Sequence, residues 1–202
     1  MSNAAMISAT FEDVDKAKID PQNGDALDLT SRFLQAADQL AQWERTEFPV
    51  YHSPLWWPVT TAGGETYLWF QDLAVANCTT YFWAFRIICL TNIRQLRIEF
   101  PSLLLLDIDI DGKSPESIEV TQEIIQLSNQ IIQSMEFLTQ EEMGVYGVAS
   151  AALPLQIAFG VLSDMGSDSE AGSKPYLKTI KKIIDKGYKE CLLYGIPTEE
   201  VK

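Results

Sequence analysis

The segment spanning residues 122–162, QEIIQLSNQIIQSMEFLTQEEMGVYGVASAALPLQIAFGVL, limits the possible folds more than any other part of the chain. Ile124, Leu127, Ile131, Met135 and Leu138 recur at steps of three and four, and Ile125 and Ile132 widen the stripe. A helix returns to the same face every 3.6 residues and a strand every two, so this spacing predicts an amphipathic helix. Thr139 followed by Glu142 has the form of a capping box, in which a hydroxyl and a carboxylate satisfy amide groups at a helix start. One helix is therefore expected to end near Leu138 and another to begin near Gln140. Gly144 and Gly147 are expected to loosen the chain before a second apolar helix at 151–162. Helices that each expose an apolar stripe must bury it against other helices, which points to an all-α scaffold.

The remaining segments fit an irregular all-α domain around a long central helix. Residues 1–24 are polar with a turn at Pro21-Gln22-Asn23-Gly24 and form a flexible N-terminal segment, leaving 25–202 as a single helical domain. Asp25 can cap a helix from Ala26 to about Glu47 with Phe33, Ala37, Leu40 and Trp43 on one face. Residues 51–65, rich in Pro and Gly, are expected to be a loop with Trp56 and Trp57 lying over the core. The central helix is expected over 66–100. Asp72, Asn77, Thr80, Thr91, Arg94 and Gln95 fall on its polar side, and Ala74, Cys78, Tyr81, Phe85, Ile88 and Leu96 on its apolar side. Trp83, Ile87 and Leu90 fall near the polar side, so packing from more than one direction is expected. Residues 107–112 form a turn, and Ser114-Pro115-Glu116 has the composition of a helix start. Residues 164–174 form a linker, and Pro175 opens a last helix with a stripe of Leu177, Ile180, Ile184, Tyr188 and Cys191.

Three blocks carry a family resemblance. IIQSMEFL followed by Gly144, Gly147 and ALPLQIAF resembles the C-terminal regulatory region of fungal zinc-cluster transcription factors. YLWFQDLAVANCTTYFWAFRIICLTNIRQL at 67–96 and the ending YKECLLYGIP are similar to the same region. The resemblance covers about two thirds of the chain, residues 66–197, through loose apolar motifs. It implies a nuclear, often dimeric protein whose helical domain controls activation through a coactivator or inhibitor protein, sometimes in answer to a small effector. The chain departs from the family in its cysteines. Cys78, Cys89 and Cys191 cannot form the six-cysteine DNA-reading cluster. Met1-Ser2-Asn3-Ala4 is either a native start or, as Ser-Asn-Ala often is, an expression scar, which favours a fragment of a longer protein.

Charge and cysteine usage bound the partners. A net charge of −13 opposes direct contact with nucleic acid, whose phosphates require clustered Lys and Arg. Residues 107–147 carry nine acids against Lys113, a solvated acidic face or a surface for a basic partner, and the bases gather at 174–189. Three scattered cysteines imply no disulfide framework and a reducing compartment. Residues 73–90 come closest to a membrane span, but Asn77, two threonines and Arg86 favour a buried core helix.

Motifs that would carry chemistry fall short. Asp107-Ile108-Asp109-Ile110-Asp111-Gly112 begins like a calcium loop, but the twelfth position is Ile118 where a bidentate Glu is needed. Gly112-Lys113-Ser114 lacks the earlier glycine of a phosphate loop, because that position is Asp107. His52 is the lone histidine, and no Gly-x-Ser-x-Gly elbow is present to hold a nucleophile. The cysteines sit among apolar helical residues, where a thiol acts as a small core group. The expectation is a non-enzymatic regulatory domain with no cofactor or metal, alternatively a stand-alone helical module that binds a protein or small molecule. An apolar effector would enter between the central helix and the 116–138 helix, among Phe82, Trp83, Phe85, Met135, Leu138 and Met143.

Overall fold

A computed structural model describes residues 23–47, 54–100, 118–165 and 181. Among these, the elements in chain order are α1 (Asn23–Glu47), β1 (Trp56–Thr60), β2 (Thr66–Phe70), α2 (Leu73–Glu99), α3 (Ile118–Leu138), a 3₁₀ turn (Glu141–Met143) and α4 (Gly144–Met165). The described residues are predominantly helical, as the spacing predicts, with one two-stranded antiparallel sheet among them. The readings at 101–117 and on the last helix from Pro175, and those on His52 and Cys191, lie outside the described residues.

The chain divides into two compact units, each drawing on parts of α2 and α3. The first comprises Met1–Tyr51 and Phe85–Ile124. Its core holds Leu29, Phe33, Ala37 and Leu40 of α1, Ile87, Leu90, Ile93 and Leu96 of α2, and Val120 and Ile124 of α3, all buried. Phe33, Ala37 and Leu40 lie on the face predicted for α1, whereas Trp43 at its end is exposed. Arg86 is buried here and donates from Nε to Glu123 Oε1 at 2.6 Å, joining α2 to α3. A buried guanidinium needs such a carboxylate to offset its lost hydration.

The second unit comprises His52–Ala84 and Ile125–Lys202. Here residues 56–65 of the expected loop and the first turn of the expected central helix are a β-hairpin. Trp56 pairs with Phe70, Trp57 with Trp69, Pro58 with Leu68, Val59 with Tyr67 and Thr60 with Thr66. The Thr61 N–H donates to the Glu65 carbonyl and the Gly64 N–H to the Thr61 carbonyl, both at 2.9 Å, closing the connection. The two runs are rich in aromatic and β-branched residues and are separated by a short glycine-containing segment, a hairpin signature that outweighs Pro58 within β1. The helix therefore begins later than expected. Asp72 is its cap, accepting a bond from the Val75 N–H at 2.8 Å, and is not part of a polar helical face.

The phase expected for α2 is also corrected. Ala74 and Cys78 are exposed and Tyr81, Phe85 and Ile88 only half-buried, while Thr79, Thr80, Trp83, Ile87 and Leu90 are buried. The helix is apolar around most of its circumference, so its sequence carries little directional information. Thr80 is tolerated inside because its hydroxyl donates to the Ala76 carbonyl at 2.9 Å.

At the α3–α4 junction the expected boundary is right and the expected device is not. The helix ends at Leu138, yet the Thr139 hydroxyl points back and donates to the Met135 carbonyl at 2.7 Å. The 3₁₀ turn that follows starts at Gln140 without a side-chain cap. Gly144 adopts φ 55°, a left-handed conformation that suits glycine, and α4 then runs unbroken. Gly147 does not loosen the chain. A Cβ there would lie 2.1 Å from the Leu138 carbonyl oxygen and 2.6 Å from Met143 Cβ, so this position admits only hydrogen. Pro154 sits within α4 and denies the Ser150 carbonyl its usual helical donor.

Candidate functional site

The most developed side-chain cluster in the second unit is aromatic. Alternation along the strands directs Trp56, Leu68 and Phe70 to one face of the hairpin, and Leu68 and Phe70 are buried. Phe70 meets Trp83 of α2 at a centroid distance of 6.4 Å and Phe137 of α3 at 5.4 Å. Trp56 packs edge-on against Trp83 at 6.0 Å, and Trp69 edge-on against Phe137 at 5.8 Å. Such tilted and edge-to-face pairs align ring edges with ring faces and contribute beyond the area they bury. The Phe70 ring therefore touches both helices that were expected to line an effector site.

The residues expected to form that site distribute as follows. Phe82, Trp83, Met135 and Leu138 are buried in the second unit. Met143 is half-buried there, and its Cβ and the Leu138 carbonyl both flank Gly147. Phe85 is half-buried and belongs to the first unit. Sequence reasoning placed Trp56 and Trp57 over the core, which fits Trp56 against Trp83 but not the exposed Trp57, and it missed Trp69 and Phe70 because it placed them in a helix. The signal that could have found them is the pair of β-prone runs on either side of Gly63-Gly64.

The opposite face of the hairpin holds Trp57, Val59, Tyr67 and Trp69. Trp57 and Val59 are 37% and 38% exposed, large values for apolar side chains on a sheet. The Tyr67 hydroxyl donates to Glu65 Oε2 at 2.6 Å. That bond, then partial loss of solvent around the phenol and the charges of Glu65 and Glu136, raises Tyr67 to about 12.

Of the cysteines, Cys89 is fully buried, and burial pushes its thiol up to about 12, so it stays protonated and unreactive. Cys78 is exposed, contrary to the core role expected of it, because it lies on the outward side of α2. Among the described residues no group of three or more His, Cys, Asp or Glu side chains gathers to hold a metal ion. By length and composition, Leu73–Glu99 and Glu141–Ser163 are apolar enough to cross a membrane, and both also contribute buried residues to the units described above. Comparison with family models, curated proteins and solved structures yields no match.

Proposed function

We propose that this chain is the regulatory C-terminal region of a fungal zinc-cluster transcription factor, a nuclear helical domain that works by contact with a coactivator or inhibitor protein. The observation that carries the reading is Gly147. The block with the strongest resemblance, IIQSMEFL through Gly144 and Gly147 to ALPLQIAF, folds as a single helix–turn–helix in which Gly147 lies against the Leu138 carbonyl. A loose apolar motif carries little weight when its residues are interchangeable. It carries more when one of its glycines is the only residue type that fits. The second block contributes Trp69, Phe70 and Trp83 to the aromatic cluster. In this reading the domain performs no chemistry, and DNA is read by a separate segment.

Two measurements test it. The natural reading frame that encodes this chain is expected to include, on its N-terminal side, six closely spaced cysteines interleaved with Lys and Arg. A complete natural reading frame without such a run would contradict the proposal. The isolated chain, with its net charge of −13, is expected to leave duplex DNA unshifted in a mobility titration, and tight salt-sensitive binding would overturn the division of labour.

A further inference from the structure

We draw no further inference here: the strongest candidate, the exposed apolar face of α4 formed by Val145, Tyr146, Ala149 and Leu153, carries nothing because nothing in the structure shows what covers it.

Discussion

Replacing Gly147 with alanine pits two effects of known size against each other. Alanine is favoured over glycine inside a helix by about 0.5–1 kcal/mol, so Gly→Ala at an open helical position stabilises. At Gly147 the added carbon would stand 2.1 Å from the Leu138 carbonyl oxygen, about 1 Å inside the closest approach that real Cβ atoms show. The obstacle is backbone, the end of α3 itself, and cannot rotate aside. Overpacking usually costs about 1–3 kcal/mol, and a backbone clash this deep belongs near the upper end. The net expectation for Gly147→Ala is a loss of about 2 kcal/mol. Gly160 is the internal control, because it is exposed on α4 and nothing lies within 4 Å of its ideal Cβ. Gly160→Ala should gain about 0.5–1 kcal/mol. Urea denaturation followed by helical circular dichroism measures both. With a slope of about 1–3 kcal/mol per molar urea, the two midpoints should separate by about 1 M or more. If Gly147→Ala proved as stable as the parent while Gly160→Ala gained stability, the close approach of α4 to Leu138 would be refuted.

Other outcomes follow from the same geometry. Phe137→Ala, which removes a buried ring in contact with Trp69 and Phe70, should cost roughly 3–5 kcal/mol in the same denaturation assay. Glu123→Ala strips the carboxylate from the buried Arg86 and should cost about 3 kcal/mol, and replacing both partners with apolar residues of similar volume should cost less. Because the Cys89 thiol rises from 9.0 to about 12 on folding, the folded chain holds that proton longer than the unfolded one. The contribution is complete below pH 9 and is lost as pH climbs toward 12, so Cys89→Ala should flatten the alkaline fall in melting temperature. Brief alkylation of the native chain at neutral pH, read by peptide mass spectrometry, should label Cys78 and leave Cys89 unmodified.

What could be read in advance depended on how strongly a segment separates its apolar and polar faces. In α3 the stripe of Ile124, Leu127, Ile131, Met135 and Leu138 is buried throughout, because polar residues occupy the other side and fix the phase. In α2 apolar side chains cover most of the surface, and the buried face came out on the side of Thr80, Trp83 and Ile87. Asp72 shows a different limit. An acid followed by an apolar run suits a helix cap as well as a polar face, and only the bond to the Val75 N–H distinguishes the two. Thr139 and Glu142 had the spacing of a capping box, but a nearer acceptor, the Met135 carbonyl, took the hydroxyl. The inner face of the hairpin was hidden for a simpler reason. Prolines and glycines around Trp56 and Trp57 suggest a loop until the aromatic run 66–70 is allowed to pair with them.

The proposed regulatory role is tested most directly by reporter transcription in a fungal cell, with the chain fused to an unrelated sequence-specific DNA-binding domain and expression levels matched. The account predicts that the fusion changes output relative to the DNA-binding domain alone. It also predicts that Gly160→Ala preserves the change and that Gly147→Ala, which disturbs the α3–α4 junction, reduces it. Output indistinguishable from that of the DNA-binding domain alone, in a fusion shown to be folded and nuclear, would contradict the account.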